Sequence, residues 1–280
     1  MQVRKGLAVL GLAAGLLCGC GEQKQIEVFV GSASKPATEE AAKVFEQKTG
    51  CKVLLHIGGS GKLLSDMEVA ERGDLYFPGS SDFMERAKEK ELVVPETEEI
   101  VVYLVPAINV PAENPADIQG LQDLAEKDVS IGIARPDTVC VGLYAAEVLV
   151  HNGLVEAVKP KIKTHAPSCA RTANLVAMEQ VDAILGWRVF GYWAPEKIKT
   201  ILLEPEQVPR IGYIPIARSV FSEEPELAEE FVRFLLSDEG RAIFRKHHYL
   251  TTEAEARKFV TLDTPVGGKW ELPEAWLEKD

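Results

Sequence analysis

A chain of 280 residues is long enough for a sizeable core in one or two domains, and a formal charge of −12 without a basic cluster excludes nucleic acid as the natural partner. Any anion this chain binds must be held by local dipoles working against the overall field.

The first five residues include Arg4 and Lys5, and residues 6–17 form an apolar run too short to be a permanent membrane span, the pattern of an export signal. The run ends Leu17-Cys18-Gly19-Cys20, which resembles a bacterial lipobox. That resemblance implies removal of residues 1–19, a lipid on Cys20 that tethers the protein to the membrane, and a linker over 20–25. An ordinary signal peptide cleaved nearby is the alternative, and both readings export the chain. Of the five cysteines, Cys18 leaves with the signal and Cys20 takes the lipid. Cys51, Cys140 and Cys169 then sit in an oxidising compartment, where one disulfide and one free thiol is the simplest count.

From residue 26 the chain alternates strands and helices. Val28, Phe29 and Val30 read as a buried strand that breaks on the small residues 31–34. Pro36 suits the first turn of a helix and Ser34 its N-cap, so the strand delivers a helix N-terminus, a natural anion site, to a sheet edge. A one-faced helix over 39–48 ends at Gly50. A strand over 52–56 stops at Gly58-Gly59-Ser60-Gly61, and the next helix has Leu63, Leu64, Met67, Val69 and Ala70 as its apolar positions. The pattern of strand, small residues, serine and helix has recurred. A third strand and turn fill 73–81 before a helix over 82–90. The apolar run 101–110 contains Pro106, which marks a strand changing partner or domain.

A second series follows: a short helix over 121–125, a strand over 129–134, a helix over 143–150, a strand over 161–165, and a helix from the turn at Cys169 to Met178. Residues 181–189 read as a buried strand returning toward the first domain. Strands over 197–203 and 210–217 and helices over 224–236 and 238–246 complete the core, and the polar tail 267–280 carries Trp270 and Trp276 as docking residues. This alternation predicts an α/β protein with mainly parallel sheets flanked by helices. Crossings near 103–108 and 212–217 divide it into lobe 1 (26–105 plus 216–280) and lobe 2 (106–215). Ligands of such sheets sit at the carboxyl ends of the strands, here in a hinged cleft.

Gly31-Ser32-Ala33-Ser34, Gly59-Ser60-Gly61-Lys62-Leu63, Gly73-Asp74-Leu75-Tyr76, the run from Pro136 to Ala145 and the Leu-Ser-Asp-Glu-Gly-Arg of 236–241 follow one another in an order that resembles the periplasmic molybdate-binding proteins of ABC importers, and more distantly the tungstate/molybdate binders. The resemblance implies a type II two-lobe periplasmic-binding-protein fold and no enzymatic activity. It implies a molybdate or tungstate ligand without further cofactor, an inner-membrane importer permease as partner, and a monomer. The oxyanion would take donors from Ser34 and Ser60 in one lobe and from the amides of Val141 and Ala170 in the other, with Ser32, Gly61, Cys140, Cys169 and Arg171 beside them. The family places a tyrosine after the apolar strand of the second lobe. This chain has Gly186-Trp187-Arg188 there, leaving either Trp187 or Arg188 at the ligand. Arg188 would bring charge and favour phosphate, sulfate or arsenate, or would instead pair with Asp182.

Other chemistries find little support. Gly58-Gly59-Ser60-Gly61-Lys62 departs from the nucleophile elbow at Lys62 and from the phosphate loop at His56, so an exported serine hydrolase using Ser34 or Ser60 lacks its motif and its paired histidine. His56, His151, His165, His247 and His248 lack metal-ligand spacing. Cys140 and Cys169 both precede helices of lobe 2 at one sheet edge, which makes them either a disulfide stiffening half the site or two small buried residues.

Overall fold

The computed structural model describes residues 24–277, so the expected signal segment and Cys20 lie outside the described residues. The chain runs β1 (Gln25–Gly31), α1 (Lys35–Thr49), β2 (Lys52–Gly58), α2 (Ser60–Ala70), β3 (Leu75–Phe77), α3 (Ser81–Glu89) and β4 (Glu99–Leu104). It continues through β5 (Pro106–Pro111), α4 (Leu121–Glu126), β6 (Ile131–Ala134), α5 (Cys140–His151), α6 (Val155–Val158), β7 (Ile162–Ala166), α7 (Cys169–Ala177), β8 (Ala183–Trp187), α8 (Phe190–Trp193) and β9 (Ile198–Leu202). It closes with β10 (Gly212–Arg218), α9 (Pro225–Leu236), α10 (Asp238–Lys246) and α11 (Glu253–Ala256).

Local chemistry sets the boundaries. Pro36 occupies the first turn of α1, where no amide donor is required, and Gly50, at φ 72°, ends it in the left-handed conformation. Pro106 cannot donate to a ladder, so the apolar run is cut into β4 and β5 with Val105 between them. The two halves then join different sheets.

The first sheet has the order β2-β1-β3-β10-β4 and the second β7-β6-β8-β5-β9. In each, four of the five strands run in one direction and the fourth in order is antiparallel to both its neighbours. The sheets therefore share one topology, and the antiparallel strand in each is the one that enters from the other half of the molecule. Two expectations need correction. β8 does not return toward the first domain; it lies in the middle of the second sheet between β6 and β5. The segment over 212–217 is not itself a crossing, because β10 lies wholly in the first sheet and the passage between sheets is the stretch after β9.

One apolar cluster joins the first sheet and its helices to the inner face of the second sheet, including Val139, Val141, Ala173, Ile184 and Trp187. A second cluster covers the other face and draws in Ala256 and Val260, with Phe259, Val266 and Trp276 against it. The C-terminal stretch thus packs on the second sheet. In α2, Leu63, Leu64 and Met67 are buried as expected, but Val69 is 85% exposed, because it falls on the solvent side of the helical turn.

Where the halves meet behind the cleft, Arg210 is 4% exposed. Its guanidinium bonds Asp82 Oδ1 of α3 at 2.8 Å and Glu147 Oε2 of α5 at 2.7 Å, and lies 4.1 Å over the Tyr144 ring. It also donates to the Gly268 carbonyl at 3.0 Å, and Trp270 N–H donates to Asp82 at 2.9 Å, so the tail straps the same junction. Burial pushes the Glu147 carboxyl above its usual range, with Arg210 partly offsetting that rise. Removing the cation would leave two buried carboxylates. Arg210→Ala is expected to cost about 3–5 kcal/mol at neutral pH by denaturant unfolding. Without Arg210 the Glu147 carboxyl loses the partner that offsets its rise, so the loss should shrink as pH falls below neutral and that group takes up a proton. A loss below about 1 kcal/mol would show that the junction does not depend on this cation.

Candidate functional site

The parallel strands of both sheets end at one place. The carboxyl ends of β1, β2 and β3 open into the 3-10 turn Ser32–Ser34 and the starts of α2 and α3, while β6 and β7 open into α5 and α7. These turns face one another across the lobes, and the chain joins them directly. Gly61 N–H donates to the Thr138 carbonyl at 2.9 Å, and Ala170 N–H donates to Ser32 Oγ at 3.2 Å. Within the first lobe, Gly79 N–H donates to Ser60 Oγ at 3.0 Å and Tyr76 OH to the Ser60 carbonyl at 2.9 Å. Ser34 Oγ donates to the Gly31 carbonyl at 3.4 Å.

Such contact requires bare backbone. A Cβ on Gly79 would lie 2.4 Å from Cys140 Sγ, and one on Gly59 would lie 2.6 Å from the Pro167 carbonyl oxygen. Small residues here let two sheet edges approach until helix N-termini of one lobe touch turns of the other.

Most of the residues singled out from sequence are brought together. Ser32, Ser34, Ser60, Cys140, Val141, Cys169 and Trp187 are all buried at this seam, with Gly61 and Ala170 tied across it. The structure separates the two candidates that follow β8. Trp187 is fully buried, its ring 4.8 Å from that of Tyr144, and its indole N–H has no hydrogen-bond partner of good geometry, though it favours charge on the Cys140 sulfur. Arg188 points elsewhere: it donates to the His248 carbonyl and lies 5.3 Å from the rings of both Tyr192 and Phe259. Successive residues at a strand end project to opposite sides, which separates this pair. Nor does Arg188 meet Asp182, whose carboxylate accepts from the amide and hydroxyl of Ser130, each at 2.7 Å. The Arg171 side chain is exposed, and only its amide takes part, donating to the α7 cap Ser168.

Cys140 and Cys169 are the first residues of α5 and α7. Their sulfurs are 3.3 Å apart, a contact of two thiols rather than a disulfide, which requires about 2.05 Å. Burial pushes the Cys140 thiol well above its ordinary pKa, and the neighbouring sulfur adds to this. Tyr144 and Tyr76 are likewise raised by burial. The groups meeting here are therefore neutral hydroxyls, amides, thiols and an indole.

Ser80 was not singled out from sequence. It is fully buried at the N-cap of α3, and its hydroxyl has no partner. The signal was present, since Phe77-Pro78-Gly79-Ser80 is a third strand, small-residue and serine turn. A hollow of about 770 Å³ near Lys24, Arg72 and Glu224 lies at the opposite edge of the first sheet and does not belong to this seam. Among the described residues no group of three or more His, Cys, Asp and Glu could hold a metal ion.

Two sheets of one topology, facing each other with their helix N-termini, define the two-lobe type II fold of periplasmic binding proteins. Residues 26–250 match the family of bacterial extracellular solute-binding proteins, and the chain belongs to that family. It is 24% identical over 260 residues to the molybdate-binding protein ModA of Rhodobacter capsulatus, covering 89% of this chain and 97% of that one. In fold it resembles the periplasmic molybdate-binding protein of Azotobacter vinelandii (TM-score 0.72, 18% identity, 81% of this chain and 99% of that one). It also resembles the sulfate-binding protein SubI of Mycobacterium tuberculosis H37Rv (TM-score 0.74, 14% identity, 91% and 100%). The family is one of solute binders rather than enzymes.

The seam geometry gives a direct test. Gly79→Ala adds a methyl that cannot coexist with Cys140 Sγ at this spacing, so the lobes should sit further apart. Small-angle scattering is expected to give a larger radius of gyration than wild type with unchanged helix content by circular dichroism. An unchanged radius would show that the contact gives way locally.

Proposed function

We propose that this protein is an exported, lipid-anchored monomer that captures a tetrahedral oxyanion, molybdate or tungstate, between its lobes and delivers it to an ABC importer permease. The observation that carries the reading is the convergence of neutral donors on a buried seam: the hydroxyls of Ser34 and Ser60, the amides of Val141 and Ala170, and the unpartnered indole of Trp187. A dianion leaving water needs several donors, and groups at helix ends supply them with the helix dipole aligned and no counter-charge to displace. The bond that Ala170 N–H makes to Ser32 Oγ across the seam, and the one Gly79 N–H makes to Ser60 Oγ within the first lobe, are ones an oxyanion would replace, since its oxygens accept from amide and hydroxyl alike. Ser80 offers one further hydroxyl on the same side.

Closure is by rotation about the β4–β5 passage and the return before β10, with the first sheet and its helices moving against the second sheet and the C-terminal stretch packed on it. The molybdate-binding relatives support the choice of ligand, and neutral donors suit sulfate on the same chemistry, so size must separate the two. Because Arg188 is turned away, the motive for a phosphate or arsenate site loses its basis.

Calorimetric titration with molybdate, tungstate, sulfate and phosphate tests the reading. Sub-micromolar binding of molybdate or tungstate with at least hundredfold weaker sulfate is expected, and the reverse order would overturn the proposed ligand. Ser34→Ala and Ser60→Ala should each weaken binding about tenfold or more, the worth of one hydrogen bond to a charged acceptor.

A further inference from the structure

We propose that Cys140 and Cys169 are a reversible disulfide site built into the wall of the ligand cleft, and that its redox state tunes ligand affinity. The second clause rests on the function proposed above; the first stands on geometry alone.

The pairing of β6 with β7, which sets Ala134 beside Ala166, brings the turns that follow them together, so residues 29 apart in sequence meet at the heads of α5 and α7. Each side chain is 1% exposed and the sulfurs are 3.3 Å apart. An approach of little more than 1 Å would make the bond. Both cysteines belong to the same lobe, so the pair persists when the lobes part. What changes on opening is its surroundings. In the closed form Cys140 Sγ rests against Gly79 of the other lobe, and burial holds its thiol protonated and inert. Once the cleft opens, that burial is lifted, while the α5 N-terminus, the Val141 amide and the Trp187 indole still favour the thiolate. Lobe opening therefore gates the chemistry.

The step balances with a disulfide oxidant of the glutathione class. The Cys140 thiolate attacks one sulfur of glutathione disulfide and expels one glutathione thiolate. Cys169, deprotonated, then attacks the mixed disulfide and expels the second. Two protein thiols lose two protons and two electrons, one S–S bond forms, and the oxidant is reduced to two glutathione molecules. Cys51 is an internal control. It lies at the start of β2 in the other lobe, and burial together with Glu230, Glu224 and Glu46 pushes its thiol up to about 11.

The consequence for binding follows from position. Val141 and Ala170 are the residues immediately after the two cysteines, so a bond between the sulfurs fixes the spacing of the two amides. Fixing donors in the bound arrangement removes the cost of ordering them.

Peptide mapping of the unreduced protein after exposure to excess glutathione disulfide is expected to give a Cys140–Cys169 linkage, reversed by dithiothreitol, with Cys51 still open to alkylation. Saturating molybdate should slow the reaction at least tenfold by holding the lobes shut. Molybdate should bind the oxidised protein about tenfold more tightly than the reduced protein, and the affinity of the Cys140→Ser, Cys169→Ser double variant should not respond to glutathione disulfide. Recovery of all three thiols, or glutathione adducts without the linkage, would overturn the site. Equal molybdate affinity in both redox states would overturn the tuning. Absence of molybdate binding in both states would overturn the proposed ligand, while the linkage map still decides the disulfide.

Discussion

A helix N-terminus carried into a buried contact must find an acceptor for each free N–H, and the seam between the lobes is organised by that requirement. Gly61 N–H reaches the Thr138 carbonyl, Ala170 N–H reaches Ser32 Oγ, and Gly79 N–H reaches Ser60 Oγ. Serine suits this place because its hydroxyl can accept one of these protons and still donate its own. Glycine suits it because side chains at residues 59 and 79 would hold the backbones apart. The small, polar character of the βα turns is thus one constraint seen twice, as donors to be satisfied and as space to be kept free.

Behind the seam a charged junction does the opposite work. Arg210 spans Asp82 on one lobe and Glu147 on the other, and Tyr144 lies between this cation and Trp187 at the seam. The single aromatic ring separates a cluster of ion-paired side chains from one of hydroxyls, amides, thiols and an indole. Keeping the charge at the junction leaves the seam free of counter-ions, which suits a ligand that brings its own negative charge to an acidic protein. The strap through Gly268 and Trp270 ties the C-terminus to the same point, so the tail belongs to the mechanics of the two lobes.

Much of this was legible in the sequence because it is local. The repeated turn pattern placed Ser34 and Ser60 at the ends of parallel strands, Pro106 marked the change of sheet, and Gly50 marked the end of α1. What escaped depends on distant packing. Whether Trp187 or Arg188 faced inward turned on how β8 ends against Tyr144, and on Tyr192 one turn along together with His248 and Phe259 far down the chain capturing the guanidinium. The central position of β8 follows from its pairing with both β5 and β6, which an apolar run cannot specify. Val69 looked like core because composition alone does not tell which side of a turn it falls on. Ser80 was missed for a different reason: its turn was read as the end of a strand when it was also the third copy of the motif.

The sulfur pair sharpens what kind of selectivity this seam can exercise. Oxygen and nitrogen donors at helix ends recognise charge and shape with little regard to size until the lobes meet, and the distance at which they meet is set by the smallest groups between them. Here those groups are the Gly79 backbone and Cys140 Sγ. A sulfur at this position is larger than a hydroxyl and softer, so it limits the approach of the lobes while donating only weakly. For the anion proposed above, size would therefore be governed from the side of the cleft that carries the thiols, while its charge would be met chiefly by the hydroxyls and amides around them. On that proposal selectivity and affinity would rest on different atoms of the same turns, and a change at Cys140 would alter the first without removing the donors that supply the second.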